Sequence, residues 1–152
     1  MAQKDIGNKV PLHTLKKTED VMKFYDDWGK ENKYDKDMSD WNYTGPKETS
    51  EVFNKYANDK EIKIYDAGCG TGLVGVELKK YGFKNFYGAD LSQNLLDLVP
   101  NGLYHLLEKA DLNKKINHGD NNEQNLESYC YVVTASHRAC PEFRFWNCNR
   151  QR

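Results

Sequence analysis

The sequence has no apolar run that approaches the roughly 18 residues of a membrane-spanning helix. Its opening stretch, "MAQKDIGNKVPLHTLKK", lacks the apolar centre of a secretory signal, contains no arginine and carries Asp5, so neither an export signal nor a mitochondrial transit peptide is read there. Cytoplasmic residence is the expectation. An excess of one charge is also missing. The 22 basic residues nearly balance the 23 acidic ones, for a net charge of −1, which gives no support for a nucleic-acid or acidic-membrane partner and leans towards a small molecule. Cysteine is sparse. Cys69, Cys130, Cys140 and Cys148 follow no pairing pattern, so reduced thiols are expected rather than a disulfide framework. The last three, taken with His137, match no compact metal-binding spacing, so no metal site is expected; His13, His105 and His118 stand alone. There is no internal repeat.

What is present reads as one α/β domain, since 152 residues can bury roughly 68–70% of the surface of the unfolded chain. Residues 1–14 form a loose polar arm, and residues 15–60 a helical cap. In the cap, Thr18 is placed to start a helix that buries Val21, Phe24, Tyr25 and Trp28 and ends at Gly29. A polar stretch with interleaved Tyr34, Trp41 and Tyr43 follows, and Gly45-Pro46 opens a second helix carrying Val52, Phe53 and Tyr56. Residues 61–118 alternate strand and helix: "IKIY", a helix with Leu73, Val76 and Leu78 that Gly82 terminates, "KNFYGAD", a helix capped by Ser92 and stopped at Pro100, then "LEKADL" as a third strand. That alternation implies a parallel sheet of doubly wound type. Residues 119–152 break the pattern, because every lysine lies at or before Lys115 and every arginine at or after Arg138. The tail reads as drawn from another source, as a changed reading frame or an alternative exon would produce, with "SYCYVVTAS" as its one strand.

The informative segment is "YDAGCGTG". Gly68, Gly70 and Gly72 alternate directly after the first strand, where glycine permits positive φ and leaves no Cβ between backbone and ligand. The following helix offers unpaired N–H groups and a positive dipole end, which suits a carboxylate or other anionic group. Asp66, just before the glycines, instead suits a positive charge. Gly70, Gly72 and Gly75 also satisfy the dinucleotide fingerprint in a shifted frame, but "DAGC" would then intrude between strand and loop, and Asp66 would repel a pyrophosphate. The spacing favours the amino group and sulfonium of S-adenosyl-L-methionine.

This motif resembles the first motif of the class I S-adenosylmethionine-dependent methyltransferases, an acid followed by alternating glycines. "FYGADLS" and "KADL" are similar to the second and third motifs. "YDDW", "YDKDM", "NYTGP" and "GADLSQNLLDLV" narrow the likeness to the methyltransferase-like group of the Williams–Beuren syndrome region, over about residues 15–118. The resemblance implies a Rossmann-like fold, a parallel sheet flanked by helices, incomplete at the C-terminus. It implies a donor site of Asp66, Ala67, Gly68, Cys69, Gly70 and Gly72, with Asp90 on the ribose hydroxyls, Leu91 against the adenine and Ser92 beside them. Asp111 would accept from the adenine amino group, and Leu112 would present its backbone N–H. Of the interleaved aromatics themselves, Tyr34 is expected to close over the donor and Trp28 to pack in the core.

Methyl transfer from a sulfonium is an in-line displacement that needs alignment and exclusion of water more than a catalytic dyad, so no catalytic residue is assigned. The family's sheet has seven strands, and strands five to seven find no candidates in "CPEFRFWNCNRQR". The first strand is therefore expected to expose an unpaired edge open to self-association. The expected activity is methyl transfer to an acceptor of unknown class. The alternatives are an NAD(P)-dependent oxidoreductase and a truncated donor-binding fragment without catalysis.

Overall fold

The structure is a computed structural model, and it describes residues 15–112 together with the strand backbones at 131–133 and 146–147. The arm at 1–14, the histidine and cysteines of the tail, and most of residues 119–152 lie outside the described residues.

Three helices precede the sheet: α1 (Thr18–Trp28), α2 (Lys33–Asp40) and α3 (Gly45–Tyr56). Then come β1 (Lys63–Ala67), α4 (Leu73–Lys80), β2 (Asn85–Asp90), the single turn α5 (Gln93–Leu96) and β3 (Leu106–Lys109). Two short strands follow, β4 (Tyr131–Val133) and β5 (Trp146–Asn147). The sheet order is β3-β2-β1-β4-β5, parallel from β3 through β4, with β5 antiparallel to β4.

Period-two alternation sorts the strands. Ile64 and Phe86 point to one face, where Phe53, Val74, Leu78 and Phe83 from α3, α4 and the following turn cover them. Ile64 is fully buried and Phe86 is 1% exposed. Each such side chain contributes roughly 1.5–3 kcal/mol by leaving water. Tyr65 and Ala89 face the other side in a thinner cluster. A separate aromatic cluster joins the cap to the sheet domain: Trp28, Tyr34 and Met38 pack with Leu95 of α5 and Leu73 of α4.

Several sequence expectations need correction. The edge of β1 is not open, because Ile64, Tyr65 and Asp66 pair with Tyr131, Val132 and Val133 of β4. "CPEFRFWNCNRQR" does supply a strand, the two-residue β5. Thr18 is the first helical residue and Lys17 the cap. Gly29 does end α1, as its C-cap, but with φ of −71°; the left-handed conformation falls on Glu31 and Asn32 instead. Gly29 is small for another reason: a Cβ there would stand 3.0 Å from Leu95 Cδ2. Finally, β3 ends at Lys109, so Asp111 lies beyond the strand rather than at its last position.

Candidate functional site

Parallel sheets bind ligands outside the carboxyl ends of their strands where the chain order reverses. Here that point lies between β1, which leads through α4 to β2 on one side, and β4 on the other. The glycine loop occupies it. Gly68 and Cys69 both donate their N–H to Ala89 O, at 2.7 and 3.1 Å, which stitches the loop to the end of β2. Gly68 and Gly70 have φ of 78° and 54°, and a Cβ built on either meets nothing within 4 Å. Their backbone therefore borders open space, the cradle a close-lying ligand requires.

Asp90, the last residue of β2, anchors the loop. Its Oδ2 accepts from Gly70 N at 2.8 Å and its Oδ1 from Ser92 N at 2.9 Å. Burial pushes its carboxyl above the usual range, and the N–H groups of Ser92, Gly70 and Leu91 pull it back down. Ser92 caps α5 by accepting from Leu95 N at 3.3 Å.

Asp66 lies beneath the loop rather than on its surface, 2% exposed. Its Oδ2 accepts from the Tyr104 hydroxyl at 2.6 Å, whereas its Oδ1 is buried with no hydrogen-bond partner. Desolvation pushes its pKa up to about 7; the Tyr104 hydrogen bond opposes the rise and the charge of Asp90 adds to it. Burial pushes the Cys69 thiol up as well, so it is not a nucleophile at neutral pH.

The helical cap reaches the same loops through two more carboxylates that the sequence reading missed. Thr71 donates to Asp35 Oδ1 at 2.6 Å, and Ser92 Oγ donates to Asp26. Asn94 donates to Asp26 O at 2.9 Å. Tyr34 is 6% exposed and packs edge-on against Trp28 at 4.9 Å between ring centroids, and burial raises its hydroxyl pKa well above normal. Trp28, held by its Nε1–H on Asp37 Oδ2 at 2.8 Å, is the core residue it was expected to be. Ala67 and Leu91 are half-buried beside the loop. Ala110 N donates to Asp90 O at 2.9 Å, which brings the backbone of Asp111 alongside the end of β2. Leu112 is 42% exposed. Asp26, Asp35 and Tyr104 could have been suspected: two acids in the aromatic lead-in, and one tyrosine matched by glycines without a role in the loop. Among the described residues, no ion pair reaches Asp26, Asp35, Asp66 or Asp90. No group of three or more metal-ligating side chains occurs among them either. No described helix is long and apolar enough to cross a membrane.

No known family profile matches the chain. It is 31% identical over 97 residues to human methyltransferase-like protein 27, covering 62% of this chain and 39% of that one. To the ribosomal protein L11 methyltransferase of Lachnospira eligens it is 37% identical over 57 residues, 35% of this chain and 18% of the other. The chain thus spans well under two thirds of the length of these relatives. Among solved structures, it is similar to a chain of the complex formed by the Haloferax volcanii Trm112 methyltransferase activator, with a TM-score of 0.52, 18% identity, and coverage of 72% of this chain and 46% of that one. It is also similar to magnesium protoporphyrin IX methyltransferase of Synechocystis, crystallised with S-adenosylmethionine, with a TM-score of 0.50, 18% identity, and coverage of 79% and 62%. The described sheet and helices are therefore a Rossmann-like class I methyltransferase fold, in a chain whose curated relatives are methyltransferases.

Proposed function

We propose that this chain binds S-adenosyl-L-methionine over the loop between β1 and α4 and serves S-adenosylmethionine-dependent methyl transfer. The observation that carries this reading is an open glycine cradle anchored by Asp90 with Asp66 buried beneath it, neither of these two carboxylates held in an ion pair among the described residues. The residues fit such a ligand on two counts. Space stands free above Gly68 and Gly70, and Asp66 Oδ1 is a buried acceptor still without a donor. A dinucleotide fits worse. Like charges roughly 5 Å apart repel by about 3 kcal/mol at an effective dielectric of about 20, and a pyrophosphate over the loop would lie against Asp90, whose carboxyl holds Gly70 N.

When bound, S-adenosylmethionine supplies a methyl group on a sulfonium, open to in-line displacement by an acceptor lone pair. The protein's part is to hold and shield. The backbone of Gly68 and Gly70 lets the ligand approach closely, with Ala67, Cys69 and Gly72 completing the loop. Asp90 holds the loop's shape through Gly70 and offers its remaining lone pairs to the ribose hydroxyls. Leu91 would lie against the adenine, Leu112 would present its backbone N–H to it, and Asp111 would accept from its amino group. Ser92 fixes α5 beside the ribose, and Tyr34 walls the site from the cap. Negative potential from Asp66, Asp90, Asp26 and Asp35 stabilises the ligand's positive charge in a poorly solvated place.

Isothermal titration of the full chain tests the reading. The expected result is binding of S-adenosylmethionine and S-adenosylhomocysteine in the micromolar range, with no heat from NADH. Heat from NADH and none from S-adenosylmethionine would overturn it. Turnover is a separate assay, because the relatives are much longer than this chain.

A further inference from the structure

Tyr104, just before β3, has no place in the glycine motif, yet three glycines make room for it. A Cβ at Gly75 would stand 2.6 Å from its hydroxyl oxygen, and Cβ atoms at Gly72 and Gly88 would stand 3.2 and 3.0 Å from its ring. Those glycines come from the loop, α4 and β2, so the ring sits in a slot lined by three elements. In that slot the hydroxyl donates to Asp66 Oδ2 at 2.6 Å and lies against Gly75, in the first turn of α4, where N–H groups lack helical partners. One oxygen of Asp66 is thereby committed, and the other is buried with no partner. A buried acceptor without a donor costs stability, and such sites persist where a ligand or function uses them.

We propose that Tyr104 is a positioning residue for donor recognition: seated in the slot of Gly72, Gly75 and Gly88, it fixes Asp66 by one oxygen and reserves the other as the buried negative site that draws a cationic ligand over Gly68 and Gly70. This rests on the donor-binding reading above and adds to it a residue outside the family's motifs.

The consequence is a proton linkage. The titratable groups that face Asp66 among the described residues are Tyr104 before β3, Asp90 at the end of β2 and Cys69 in the loop. With its pKa pushed up to about 7, Asp66 is largely protonated at pH 6 in the free protein. A cation favours the ionised form, so binding releases a proton, and affinity rises with pH until Asp66 is ionised in the free chain. The Tyr104 hydrogen bond lowers the Asp66 pKa, so its removal raises that pKa and moves the rise in affinity to higher pH.

The test is titration of wild type, Y104F and D66N with S-adenosylmethionine and with 5′-methylthioadenosine, which lacks the amino acid and the sulfonium, from pH 5.5 to 7.5. In wild type, affinity for S-adenosylmethionine should rise by up to about tenfold per pH unit below 7 and level off above it. In Y104F the rise should still be incomplete at pH 7.5, with affinity at pH 7 about tenfold weaker. Affinity for 5′-methylthioadenosine should stay within about twofold throughout. In D66N the step near pH 7 should vanish, a result that stands even if Y104F folds poorly. An unchanged midpoint in Y104F, an equal loss for both ligands, or a surviving step in D66N would overturn the role of Tyr104 while leaving donor binding intact. Failure of wild type to bind S-adenosylmethionine would overturn the donor reading itself.

Discussion

Replacing Asp90 with alanine should weaken binding of S-adenosylmethionine by at least a factor of about 100 while the chain stays folded. The carboxylate takes Gly70 N at 2.8 Å and Ser92 N at 2.9 Å, one on each oxygen. Hydrogen bonds to a charged acceptor are worth about 1.5–3 kcal/mol each, so truncation removes about 3–6 kcal/mol of support from the glycine loop and the start of α5. An opposing effect shields the fold. Burial already pushes the Asp90 carboxyl upwards, so deleting it relieves a desolvation cost, and the freed Gly70 N–H borders open space where water can reach it. The loop should lose its shape far more than the domain loses its stability. D90N, which keeps one carbonyl acceptor, should fall between the two. Titration paired with a circular-dichroism melt separates these effects; an affinity within about threefold of wild type in D90A would contradict the anchoring role.

The second large effect runs against helix propensity. Gly75 lies in the first turn of α4, and Gly→Ala in a helix ordinarily stabilises by about 1 kcal/mol. Here the new Cβ would stand 2.6 Å from the Tyr104 hydroxyl and 3.0 Å from Cζ. The ring cannot slide aside, because Gly72 and Gly88 close the slot from the loop and from β2. Overpacking costs about 1–3 kcal/mol, and shifting the phenol also breaks its hydrogen bond to Asp66, worth about 1.5–3 kcal/mol when the acid is ionised. The clash wins. G75A should lose about 2 kcal/mol net, a fall of roughly 5–10 °C in melting temperature, and should weaken donor binding with it. An unchanged or raised melting temperature would show that the slot is looser than its distances imply.

The parts of this architecture legible in the sequence were those with local causes. Glycines at 68, 70 and 72 announce a close-approach loop whatever surrounds it, and all three adopt positive φ. "KNFYGAD" became β2 because its aromatic and small residues alternate between a buried face and a thinner one. Ser92 capped its helix as expected, since a cap needs only its own N–H neighbours. What stayed hidden depended on distant partners. Helix α2 looks like a polar stretch in the sequence because its apolar side rests on two residues, Tyr34 and Met38, too few to register as a period. The pairing of β1 with β4 spans more than sixty residues and leaves no local signature. Asp66 was expected at the ligand surface because its type and position suggested it. Its actual place beneath the loop follows from the alternation of β1, which turns Ile64 and Asp66 to the helix-covered face, and from Tyr104 meeting it there. The burial of Thr71 against Asp35 is likewise invisible until α2 is seen to fold over the loop.

We read the bare backbone after β1 as the cradle of an adenosyl amino acid. Amide chemical-shift mapping of the isotope-labelled full chain during titration with S-adenosylmethionine examines it most directly. The largest shifts should fall on Gly68, Cys69, Gly70, Leu91 and Ser92, with little change in α3 or on the far face at Tyr65. Saturable binding with those amides unmoved, or with shifts gathered elsewhere, would contradict the account.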